Sequence, residues 1–317
     1  NGSGKSSILE ALHFFSPSGS WGSSLFKREE LFHKQDLKRE IVVGISLTDD
    51  TGFETSVSQG LENTKVRAGS DWFDSGTGAA YYKTLRSLHN QHTEKMFFIS
   101  ALRGDVPREM RPSEDVVAWT GPRGENLIHT LNQLNQPENL YQKRKVEGWA
   151  GEFGLKDLWS GLRSGSATVL YRDLGTILSG ISASYGARQV LPIIANLFYS
   201  PRDSVFLIEE PEISLHPEAQ VKLVEMFADA IKESKQIIMT THSHYLLLAL
   251  TEALQRKLIK SEEVSVWEIT KESEKGTVAK ELPISEEGVI EGWVSSFARV
   301  DARLLKGRSR QTSKTRR

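Results

Sequence analysis

The stretch SVFLIEEPEISLHPEAQ at 204–220 constrains this chain more than any other. Val205, Phe206, Leu207 and Ile208 form an apolar run with no polar alternation, which predicts a strand buried on both faces of a parallel sheet covered by helices. The run stops at Glu209, Glu210 and Pro211. The two carboxylates therefore fall at the carboxyl end of the strand, where open α/β sheets bind ligands. Pro217 to Lys232 follows as an amphipathic helix with Val221, Val224, Phe227, Ala228 and Ile231 on one side. Gln236 to Thr240 (QIIMT) is a second core strand, ending in Thr241, His242, Ser243 and His244. Strand, helix and strand in alternation predict a parallel, doubly wound sheet.

At the other end of the chain, Asn1, Gly2, Ser3, Gly4, Lys5, Ser6 and Ser7 supply the last six positions and one flanking residue of a phosphate-binding loop, G-x-x-x-x-G-K-[ST]. Backbone N–H groups of such a loop cradle phosphate at a helix start, where the helix dipole also favours anions. Lys5 would reach the β- and γ-phosphates, and the Ser6 hydroxyl would ligate Mg²⁺. A Gly/Ser-rich turn alone would fit the same residues; the acid-ended strand downstream gives the phosphate reading its weight. The motif's first Gly would precede Asn1, so the chain is expected to start inside the loop and to lack the strand leading into it.

Between these ends, Ile41–Leu47 and Phe53–Val57, separated by the turn residues Asp49 to Gly52, read as a hairpin or meander. Lys95 to Leu102 contains another buried-type strand, followed by Arg103 and Gly104. Residues 122–165 read as mostly helical, with Leu127, Ile128, Leu131 and Leu134 at helical spacing and a break at Pro137. Trp149, Phe153, Leu158 and Trp159 are assigned to that helical insertion. Ala167–Tyr171 and Thr176–Leu178 predict a second hairpin, and Ser182 to Gln189 a turn before an apolar helix through Phe198. The expected organisation is one unit over 1–305. It has a phosphate loop and helix at 1–15, a β-rich lobe at 40–102, a helical insertion at 108–165 and a catalytic lobe at 166–297. A basic tail, expected to be disordered, covers 306–317.

Composition narrows the function classes. The formal net charge of -1 argues against a globally basic nucleic-acid binder, although every charged residue from Lys306 to Arg317 is basic. With no Cys, disulfides and thiolate metal sites are excluded, and a reducing, cytoplasmic setting fits. No apolar run approaches the ~20 residues of a membrane helix, so no membrane partner is expected.

Taken in order, NGSGKSSILEAL at 1–12, SYGARQVLPII at 184–194, LIEEPEISLHPEAQ at 207–220 and IIMTTHSHYLL at 237–247 resemble an ABC-type ATPase head of the branch that holds RecF, SMC proteins and the OLD-like ATPases of prokaryotic defence. GVIEGWVSSF at 288–297 is similar to the C-terminal segment of some OLD-like ATPases. The resemblance implies an α/β P-loop NTPase fold: a mixed or parallel core sheet flanked by helices, an antiparallel β lobe and a helical insertion. It implies ATP and Mg²⁺ as ligands, Glu209 on the magnesium side, Glu210 polarising the attacking water and His242 contacting the γ-phosphate. Ser184 and Gly186 match the signature serine and second glycine, with Tyr185 in place of the first glycine; Ile213, Ser214 and His216 match the loop after the catalytic Glu. In the family these segments complete the site across a dimer, so a homodimer that sandwiches ATP is expected. The glutamine expected after the strand at 96–100 is missing, which leaves Arg103 as a candidate γ-phosphate sensor. OLD nucleases carry a further TOPRIM domain. Roughly seventy residues follow His244 here, without a D-x-D cluster, short of a domain of about 100 residues. A separately encoded nuclease or other effector is therefore the expected partner, with nucleic acid as the shared target. Alternatives left open are the ATPase subunit of a transporter, against which Tyr185 and the missing glutamine argue, and a nucleotide-binding scaffold with negligible hydrolysis.

Overall fold

The computed structural model describes Lys5, Leu9, the backbone of strands within 41–73, and residues 94–113, 117, 119–272 and 276–292. The loop residues Asn1 to Gly4, Ser6 and Ser7, the segment 293–305 and the basic tail lie outside the described residues.

The centre is a parallel sheet in which β9 (Val205–Glu209) lies between β5 (Met96–Ile99) and β10 (Gln236–Thr240). Its register pairs Ile99 with Ile208 and Glu209 with Thr240, so the three strands end at one level. Both faces of β9 are covered, as its unbroken apolar run requires. Phe97, Ile99, Phe206 and Ile208 join the main core, while Phe98 and Leu207 pack with Leu9 on the opposite face. Lys5 and Leu9 are helical, and Leu9 packs on that second face.

The amino-terminal strands β1 (Ile41–Ser46), β2 (Thr51–Ser58), β3 (Leu61–Ala68) and β4 (Asp71–Phe73) form an antiparallel meander. β5, placed by sequence in the same β-rich lobe, pairs instead with β9. Helices α1 (Leu127–Gln133) and α2 (Leu140–Glu152) follow, with Pro137 breaking the helical run between them as expected. The helical reading of 122–165 fails beyond Glu152. There β6 (Lys156–Arg163) pairs antiparallel with β7 (Ser166–Asp173), and β8 (Thr176–Ser179) closes a three-stranded sheet. Gly154 at φ 89° ends the helical segment in a left-handed turn. The next residues alternate, with Leu158 and Ser160 buried and Trp159 exposed, the period of a strand rather than a helix.

The apolar helix α3 (Tyr185–Tyr199) packs against α2, and α4 (Pro217–Ile231) against α5 (His244–Gln255). The buried face of α4 includes Leu223, Val224, Phe227 and Ala228. An antiparallel pair, β11 (Val266–Glu272) and β12 (Gly276–Leu282), follows α5.

Candidate nucleotide site at the strand ends

Three strand ends deliver the site. Glu209 closes β9 with its side chain buried, and its Oε2 accepts hydrogen bonds from the Ala101 amide (3.2 Å) and the Ser100 hydroxyl (3.4 Å) beyond β5. Glu210 leaves the strand in a left-handed conformation, φ 39°, which non-glycine residues adopt at a cost of order 1–3 kcal/mol. Its amide donates to the Thr240 carbonyl at 3.0 Å, so the ladder holds the strained residue in place. Its half-exposed carboxylate faces the segment after β10. There Oε1 lies 3.6 Å from His242 Nε2, too long for a direct hydrogen bond. Glu210 and His242 thus face each other across a gap open to solvent. His244, the other histidine of the segment, is instead the first residue of α5, with its ring against Tyr245.

Arg103 takes a different place from the one expected of it. Its side chain is 2 % exposed. Nη1 donates to the carbonyls of Ser100 (2.9 Å) and Glu209 (2.8 Å), Nη2 to that of Glu210 (3.1 Å), and Nε to that of Gln189 in α3 (2.9 Å). With its side chain buried and four of its five N–H donors committed to backbone carbonyls, the guanidinium is not presented to a γ-phosphate. It is a buried fastener, and the sensor assignment falls. Burial pulls its pKa down to about 10, while the carboxylates of Glu212, Glu209 and Glu210 act in the opposite direction. It stays charged at neutral pH.

Ser184 caps α3, its hydroxyl accepting from the Ala187 amide at 3.2 Å. Two residues on, Gly186 faces the loop after Glu210. A Cβ there would stand 2.5 Å from the Ser214 carbonyl oxygen, so only glycine permits this approach. The signature turn and the 213–216 loop are therefore adjacent within one protomer. Tyr185, at the position where the signature departs from glycine, is half exposed with the Arg188 guanidinium over its ring.

Sequence reasoning left Glu212 and Gln220 without roles, and the fold supplies both. Glu212 is buried, and its Oε1 accepts from the Thr241 hydroxyl (2.6 Å) and the His242 amide (2.8 Å). Gln220 joins α4 to the cap of α5, accepting from the Ser243 hydroxyl at 2.5 Å and donating to the Leu215 carbonyl at 2.9 Å. The third acid in the EEPE turn was the only local signal, and its partners lie roughly thirty residues away. Among the described residues no three His, Cys, Asp or Glu side chains cluster as a metal cage. Glu209 does offer carboxylate oxygen, the donor chemistry that Mg²⁺ takes alongside hydroxyl, water and nucleotide phosphate.

The fold is that of an ABC-type, SMC-like P-loop ATPase head. A crystal structure of an SmcHead bound to the C-winged helix domain of ScpA superposes with a TM-score of 0.54 at 11 % identity, covering 90 % of this chain and 89 % of that one. An SMC head domain from Thermotoga maritima gives 0.46 at 12 % identity over 90 % and 88 %. Residues 1–249 match the family described as "AAA domain, putative AbiEii toxin, Type IV TA system", and the chain belongs to this family of nucleotide-binding AAA ATPases. No curated protein matches the sequence. Among the described residues no helix is long and apolar enough to cross a membrane.

Proposed function

We propose that this ATPase head is a switch that closes as a homodimer around ATP and Mg²⁺ and couples its nucleotide state to a partner acting on nucleic acid. The observation that carries the reading is the facing pair Glu210 and His242 above the buried Glu209, at the common end of three parallel strands. Asn1 to Ser7 cradle the phosphates, with Lys5 on the β- and γ-phosphates, and the Ser6 hydroxyl would hold the metal. Glu209 holds the metal side, and Mg²⁺ supplies charge neutralisation to the phosphates when bound.

In the reaction, Glu210 orients a water for in-line attack on the γ-phosphorus and accepts its proton. The bond from the γ-phosphorus to the bridging oxygen breaks, and ADP leaves with the electron pair. His242 hydrogen-bonds a γ-phosphate oxygen and so senses its loss. Ser184 and Gly186 meet the γ-phosphate of the second copy, and the close approach of Gly186 to Ser214 links that meeting to Glu210. The family likeness supports a separately encoded nuclease or other effector as partner, and defence against phage as the setting. The cysteine-free composition suits the cytoplasm. Within this sequence, residues 1–305 are the part assigned to the head.

The test compares ATP turnover and oligomeric state of the full-length protein with those of Glu210→Gln. The variant is expected to keep ATP binding, to lose turnover by about a hundredfold or more, and to elute as an ATP-dependent dimer. Equal turnover in both would overturn the assignment.

A further inference from the structure

The acid-rich turn contains a third carboxylate, Glu212, that the reading above does not use. It is 9 % exposed and lies between the catalytic strand and the segment after β10. One oxygen, Oε1, takes both of its hydrogen bonds, from the His242 amide at 2.8 Å and the Thr241 hydroxyl at 2.6 Å. Thr241 in turn accepts from the Ser243 amide at 2.9 Å, and Ser243 caps α5. The other oxygen, Oε2, is buried with no hydrogen-bond partner among the described residues. The hydrogen bonds that tie Glu212 to its neighbours thus all run through Oε1. That oxygen grips the backbone of the residue that faces Glu210, in a segment joined to β9 otherwise by strand pairing that ends at Thr240.

We infer that Glu212 is a positioning residue: it fixes the His242 backbone so that the imidazole stays opposite Glu210, and it takes no proton and binds no metal. This rests on His242 and Glu210 acting as proposed above.

The mechanism separates Glu212→Gln from Glu212→Ala. The glutamine amide oxygen can accept both bonds in place of Oε1, whereas alanine accepts neither. Turnover is measured on the full-length protein per nucleotide-binding site, which corrects for any misfolded fraction, together with ATP affinity. Glu212→Ala is expected to lose about a hundredfold in kcat with ATP affinity within about twofold, while Glu212→Gln stays within about threefold of wild type on both. If Glu212→Gln falls as far as Glu212→Ala, the charge itself acts and the inference fails; unchanged kcat in Glu212→Ala also overturns it. Should Glu210→Gln and His242→Ala leave turnover intact, the catalytic reading fails instead. Exchange of the His242 amide proton, followed by NMR without nucleotide, then decides the positioning role by itself. Exchange at least about tenfold faster in Glu212→Ala but not in Glu212→Gln supports it, and equal rates in all three proteins reject it.

Discussion

Arg103 and Gln189 each donate to the other's backbone: Arg103 Nε to the Gln189 carbonyl at 2.9 Å, and Gln189 Nε2 to the Arg103 carbonyl at 2.5 Å. This clasp ties the loop after β5 to the signature helix, and the same guanidinium holds the carbonyls of Glu209 and Glu210. Arg103→Met leaves several buried carbonyls without donors. Urea unfolding is expected to show a loss of about 3–5 kcal/mol. Arg103→Lys, with charge but no fork, should recover only part of it.

Gly186→Ala is expected to destabilise by about 1–3 kcal/mol, because the new methyl group meets the backbone of Ser214, itself left-handed at φ 62°, rather than a side chain that can turn away. Ser184→Ala, which removes only the helix cap, should cost about 1 kcal/mol. Thermal or denaturant unfolding of the two variants side by side checks the order.

Lys235 is buried, with its ammonium donating to the carbonyls of Ser200 and Pro201, and burial lowers its pKa to about 8 from 10.5. Between those values the unfolded chain binds the proton more readily than the folded one. This group's contribution to stability therefore rises with pH from about 8 to 10.5, is complete above that window, and is lost as pH falls through 8. The stability of wild type relative to Lys235→Met should climb across this window, as read from denaturation midpoints at several pH values. A flat difference would refute the shift.

Leu9 is 1 % exposed against Phe98 and Leu207, on the sheet face opposite the main core. Leu9→Ala should cost about 2–5 kcal/mol. It should also weaken ATP binding, because Leu9 seats the helix that carries Lys5. Lys5→Ala should weaken ATP binding with little change in stability. Calorimetric titration with ATP beside thermal melts separates the two effects.

The parallel strands were legible because three or four apolar residues in a row, bounded by acids or by Thr-His-Ser, leave few other solutions. β9 and β10 appear where the apolar runs place them. The strand β6 was not legible. Its Trp159 lies across Gly161 on the exposed face of the sheet, where a Cβ on Gly161 would meet the ring at 2.5 Å, and a register shift separates Lys156 from Trp159. An apolar pair, Leu158 and Trp159, soon after a helix looks like more helix until β7 is there to pair with it. Arg103 misled for a related reason: an arginine after a strand near phosphate chemistry suggests a ligand contact, and only its burial shows that it bonds to backbone.

By itself the sequence determined the strand–helix alternation, the acids at the strand end and the residue types around them, because run length, periodicity and turn chemistry act between near neighbours. Tertiary structure decided which of those residues meet. Glu210 faces His242 because β9 and β10 pair in parallel with Glu209 beside Thr240. Glu212 reaches His242, and Arg103 reaches Glu209, Glu210 and Gln189, across separations of 30 to 107 residues. Hydrogen bonds over such distances depend on the register of the sheet and the packing of α3 and α4 against it, which no local pattern encodes.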